Sequence, residues 1–183
     1  MNTRPERDTD RPIAVRMRRP LLAVHIITSV AWIGAALAYL ALGLAAGRDD
    51  QSATTRAAWI GMETIGWQVC IPLGVLAWSS GIGLSLITRW GLLRHYWVVS
   101  ALVLTTVALA VMVLHMPSVS IAAAIARTGD DLAVGQLGSD VLHPAAGLVA
   151  LLVVAVINIY QPRGLTPLGQ RAAGRPTATG RVG

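Results

Sequence analysis

The sequence predicts an all-α protein: a membrane four-helix bundle with four transmembrane helices and both termini in the cytoplasm. Three observations predict it. Hydrophobic residues make up 54% of the 183-residue chain and charged residues 13%, roughly half the charged share of an average soluble domain. A soluble chain so poor in charge could not keep a wettable surface. The apolar residues gather in four blocks, each close to or above the roughly 20 residues that span a bilayer. Arginine is concentrated in the arm, the second connection and the tail, which such a topology puts on one side.

Residues 1–20 form an Arg-rich arm carrying Pro5, Pro12 and Pro20. Helix 1 covers about 21–46, a run without a charge. It is too long for a signal-peptide core of about 7–15 residues, so it reads as a retained anchor. Gly47-Arg48-Asp49-Asp50 ends it. Helix 2 covers about 57–88 and contains one charge, Glu63, with a kink expected at Pro72 and Gly74. A short turn, Arg89–His95, leads to helix 3 at about 96–116, where Pro117 marks a bend. The stretch Val119–Arg127 then reads as a helix lying along the membrane surface. Helix 4, about 140–160, opens with Asp140 as its N-cap and Pro144 in its first turn. Residues 161–183 are rich in Gly, Pro and Arg and read as a disordered tail.

Arginine sets the orientation. All fifteen basic residues are Arg, and twelve of them fall in the arm, the 89–95 turn and the tail, against Arg48, Arg56 and Arg127 on the other side. The arginine-rich side is expected to face the cytoplasm, placing the chain in a bacterial inner membrane. Trp59, Trp90, Trp97 and Tyr160 fall near helix ends, where an interfacial aromatic belt belongs. The net charge of +6 is thus a matter of topology. No nucleic-acid-binding signature accompanies it, so the expected surroundings are lipid, with a second copy or a membrane protein as partner.

Polar groups inside a bilayer are costly and mark sites. They recur on single helical faces: His25, Ser29, Trp32, Ala36, Tyr39 and Gly43 on helix 1; Glu63, Trp67, Cys70, Gly74, Trp78 and Gly81 on helix 2; His143, Gly147, Ala150, Val154 and Asn158 on helix 4. These stripes are expected to face the interior. Trp32 and Asn158 are read as bundle contacts. His25 and Asn158 fall at similar depth, and a hydrogen bond between them is the bland expectation for both.

Glu63, His115 and His143 fall near the outer ends of three helices, with Met62, Met112 and Met116 close in sequence. A carboxylate, two imidazoles and thioethers make a ligand set for a copper or zinc ion. Alternatively, His115 and His143 are the axial pair of a haem b. The structural alternative is ordinary: helix-end histidines hydrogen-bond at interfaces, and Met fills apolar gaps. His95 and His115 are about 30 Å apart along one helix and cannot share a site. Cys70, the lone cysteine, excludes an intrachain disulfide.

The segment Ala23–Gly34, AVHIITSVAWIG, has the form His-x6-Trp-x-Gly. It resembles the first helix of copper-resistance D-type proteins and of the small haem-binding protoporphyrinogen oxidase. The latter likeness implies a haem ligand at His25. A longer resemblance rests on Trp90–Val98 (WGLLRHYWV), Leu114–Ser118 (LHMPS), His143 and Tyr160–Leu165 (YQPRGL). It is to an uncharacterised family of actinobacterial four-helix membrane proteins, which implies the architecture and no activity.

Three functions compete on these residues: a haem- or metal-binding membrane protein using His25, His115, His143 and Glu63; a non-enzymatic accessory or assembly subunit; and a small proton-coupled transporter centred on Glu63. The chain has no nucleophile elbow, Walker loop or HExxH motif, which turns the expectation away from a hydrolytic enzyme.

Overall fold

The computed structural model describes residues 13–47, 52–88, 91–162 and 164–173. The expectations for residues 1–12 and 174–183 and for Trp90 lie outside them. Seven α-helices follow in order among the described residues: α1 (Ile13–Ala46), α2 (Ser52–Ile65), α3 (Ile71–Ile87), α4 (Tyr96–Thr128), α5 (Asp131–Gly135), α6 (Leu142–Tyr160) and α7 (Pro167–Ala173). A π-helical turn, Gly66–Cys70, joins α2 to α3 without a break. Four stretches are long and apolar enough to cross a membrane: Arg16–Ala46, Ala53–Ile87, Tyr96–Thr128 and Leu142–Tyr160.

Chain order makes neighbouring spans antiparallel, and they close into a ring. The first packs on α2 and α3, these pack on α4, α4 packs on α6, and α6 returns to α1. One end of the ring carries the start of α1, the turn between α3 and α4, and α7, and is called here the terminal end. The other carries the α1–α2 and α4–α6 connections and is the loop end.

The stripe on α1 faces inward. Thr28, Trp32, Tyr39 and Gly43 are buried, while Val24, Ile27, Val30, Leu37 and Leu44 are exposed on the opposite side. Trp32 lies against Gly74, where a Cβ would meet its indole at 2.8 Å, so the glycine is what lets α1 and α3 approach. Met62, Met116, Val119 and Cys70 fill the centre of the core with almost no exposure.

Several expectations are corrected. The second span departs from regular α-helix in a π turn just before Pro72, and the helix continues through that proline. Pro117 does not end α4. The helix runs through it to Thr128, and Val119, Ala122, Ala123 and Ala126 are buried, so this segment is bundle core and not a surface helix. The tail does not leave the bundle at residue 161. Thr166 donates its hydroxyl to the Leu93 carbonyl at 2.5 Å and its N–H to the Arg94 carbonyl at 3.0 Å, docking α7 against the 88–95 turn. The helical part of the arm begins at Ile13, continuous with α1. Two tryptophans exchange places with expectation. Trp59, expected in the belt, is 6% exposed, whereas Trp67, expected inside, is 43% exposed with its indole N–H on Ser120 Oγ at 3.1 Å.

Candidate functional site

The loop end brings together three side chains that no single element holds. His115 comes from the middle of α4, one residue before the buried Met116. Asp140 ends the connection between α5 and α6, and His143 sits in the first turn of α6. Two glycines allow the connection to settle on the bundle. A Cβ on Gly43 would overlap the Asp140 carbonyl, and one on Gly47 would meet Ser139 Cβ at 2.5 Å. Small residues one turn apart on α1 thus form the seat on which Ser139–Asp140 rests.

The Asp140 carboxylate, 8% exposed, bridges the two imidazoles. One oxygen is 2.5 Å from His115 Nε2 and the other 3.2 Å from His143 Nδ1. The rings stack at a centroid distance of 3.8 Å and an interplanar angle of 16°. One ligand-type atom from each of the three lies within 4.8 Å of the others. His115 is 17% exposed and His143 48%, so the group is anchored inside and open on the His143 side. Tyr39, one turn from Gly43 on α1 and 2% exposed, has a hydroxyl with no hydrogen-bond partner.

This arrangement differs from the sequence-derived one in three ways. Asp140 was expected to cap the last span; instead Val141 occupies the cap position without a side-chain bond, and the Asp140 carboxylate serves the histidines. Glu63 does not join the histidines. It pairs with Arg127 of α4, Oε2 to Nη2 at 2.5 Å, and so is not a lone carboxylate. The stacked rings leave no room for a macrocycle between them, so His115 and His143 are not placed as the two axial ligands of one haem. The overlooked residue was legible: Asp140 and His143 stand three apart, the spacing that puts two side chains on one face of a helical turn. Tyr39 was on the α1 stripe but carried no role. Of the methionines, Met62 reaches Gly43 beside Asp140, while Met112 and Met116 pack on Gly66 of the π turn.

Other polar side chains described at the loop end are also partnered. Arg56 of α2 binds the Asp131 carboxylate and donates to the Gly129 carbonyl at 3.3 Å. Asp130 accepts the N–H groups of Leu132 and Ala133, capping α5.

His25 lies at the other end of the bundle. Its Nδ1 is 3.0 Å from the Ala77 carbonyl and 3.2 Å from Ser80 Oγ, both on α3, so its bonded partner is α3 and not Asn158. Both His25 and Asn158 line a cavity of about 510 Å³, to which Trp32 also contributes. His95 forms a β-bridge with Leu165 where the tail meets the turn.

The chain matches no protein-family model, no curated protein and no solved structure.

Proposed function

We propose that this chain is a multi-pass membrane protein that holds a divalent transition-metal ion in a His115–Asp140–His143 centre at its outer end. The observation that carries the reading is the convergence of two imidazoles and a carboxylate, from distant parts of the sequence, within 4.8 Å. Two nitrogens and one oxygen suit zinc or copper(II), whose bonds to such ligands are about 2.0–2.2 Å long. Small side-chain rotations bring all three donors onto one ion. The protein then supplies three ligands and leaves a fourth position for water.

The arginine distribution supports the orientation. With the arginine-rich terminal end in the cytoplasm, the half-exposed His143 opens the centre to the opposite side of the membrane. An ion would enter from there. A transport path through the bundle is not favoured, because Trp32, Tyr39, Met62, Cys70 and Met116 belong to one packed cluster between the two ends.

Titration of detergent-purified, chelator-stripped protein with zinc, in competition with a chromophoric chelator, tests this. One ion per chain is expected. His115→Ala, His143→Ala and Asp140→Asn should each weaken binding at least about tenfold, since ligand loss exceeds the 10- to 100-fold cost of losing an outer partner. Glu63→Gln should bind as the wild type does. Zinc binding that survives all three substitutions, or no binding at all, would overturn the reading.

A further inference from the structure

The cavity at the terminal end is built differently from the metal centre and points to a second ligand. Its walls come from all four spans. Trp32 and Trp78 supply aromatic faces, Ser29 and Asn158 supply polar groups, and Arg18 and Gln161 lie toward the terminal end. Its volume of about 510 Å³ falls within the range of small-molecule sites. Trp78 is fixed by its indole N–H on Thr106 Oγ1 at 2.9 Å. The His25 ring rests on Gly81, where a Cβ would stand 3.0 Å from its Cε1.

The tautomer of His25 follows from its partners. The Ala77 carbonyl can only accept, and the Ser80 hydroxyl spends its hydrogen on the Leu76 carbonyl at 2.6 Å. Both partners of Nδ1 are therefore acceptors, and Nδ1 carries the proton. Nε2 is left with a lone pair in a largely apolar, aromatic-walled cavity. Among the described residues no donor to Nε2 accompanies the two acceptors of Nδ1, so only an occupant that carries a donor can add a hydrogen bond there.

We infer that the cavity binds a membrane-soluble aromatic alcohol of the hydroquinone class, its ring among the indoles and its hydroxyl donating to His25 Nε2. The apolar walls take the ring and its substituent, and the hydroxyl meets the one imidazole that lines the space. The inference does not depend on the metal centre.

The test is a tryptophan-fluorescence titration of the full-length protein in detergent, under anaerobic reducing conditions. The probes are a decyl-substituted hydroquinone and its dimethyl ether, which keeps the ring and tail but has no donor. Saturable one-to-one binding is expected, with the ether about three- to tenfold weaker, the factor one hydrogen bond supplies. His25→Phe keeps the shape of the ring and should abolish that preference. Ala155→Phe, which fills the cavity, should weaken both probes. Equal binding of the two probes by the wild type, absence of saturation, or a preference that persists in His25→Phe would each overturn the inference. So would a porphyrin Soret band in the purified protein that His25→Phe removes. The comparison of probes in the wild type decides the matter even where a variant does not fold.

Discussion

The two ends of the bundle treat polar side chains in opposite ways. At the loop end most charged side chains among the described residues meet another: Glu63 with Arg127, Arg56 with Asp131, and Asp140 with both His115 and His143. Beneath them the core is filled by Tyr39, Met62, Cys70 and Met116. At the terminal end the helices surround a cavity, and His25 meets α3 with one nitrogen only. A polar group removed from water needs a partner. Where the partner is another residue, the group is first of all structural, and a ligand must compete with the existing bond. Where the interior supplies none, the place is kept for something else. By that measure the case for the cavity rests on what it lacks, and the case for the loop-end triad on what it gathers, three donor side chains within 4.8 Å of one another.

The largest expected effect separates the ends chemically. The double variant His115→Ala/Asp140→Asn should lower zinc affinity by roughly 100-fold or more while leaving hydroquinone binding unchanged. A parallel loss of both would mean that the two ends form one cooperative unit.

The next effect concerns the seat of the triad. Gly43→Ala forces a methyl group against the Asp140 backbone, an overlap with no flexible side chain to absorb it. It should cost about 1–3 kcal/mol, the usual range for overpacking, read as a lower melting temperature in detergent together with weaker zinc binding. Gly147→Ala on α6 meets nothing within 4 Å and is the matched control. Equal behaviour of the two would show that the Ser139–Asp140 connection does not rest on α1 as described.

A smaller effect belongs to the terminal end. Thr166→Val removes the bond to Leu93 and the one that Thr166 Oγ1 accepts from the Gly169 N–H at 3.1 Å. At about 1 kcal/mol for each lost bond, α7 should loosen, seen as faster amide exchange confined to α7 and the 88–95 turn. Smallest of all, Arg127→Gln should change stability by less than about 1 kcal/mol, because Arg127 is half exposed and such pairs contribute little.

The spans were legible because hydropathy and charge are properties of composition, summed over twenty residues at a time. The inward face of α1 was legible too, since His25, Trp32, Tyr39 and Gly43 recur at helical spacing. Pro117 misled because a proline in the middle of an apolar helix removes one hydrogen bond without ending the helix when neighbouring helices pack around it. The burial of Val119 and Ala123, which decides the matter, is a fact about α2 and not about the local sequence. The triad was half legible. His115 and His143 were picked out as rare polar groups at one depth, but depth joined them to Glu63 and left Asp140 as a helix cap. That choice was made by Arg127, which claims Glu63, and by Gly43, which lets Asp140 approach. Neither contact is visible along the chain. The cavity was not legible at all, because an empty volume depends on how four helices splay and not on any one of them.

The central claim is that the loop-end triad is a metal centre. X-ray absorption at the zinc edge of the loaded, full-length protein tests it most directly. The account predicts a shell of nitrogen and oxygen only, at about 2.0–2.2 Å, with the scattering signature of two imidazoles that falls to one in His143→Ala. A sulfur scatterer from a methionine or Cys70, or a shell without imidazole, would contradict it.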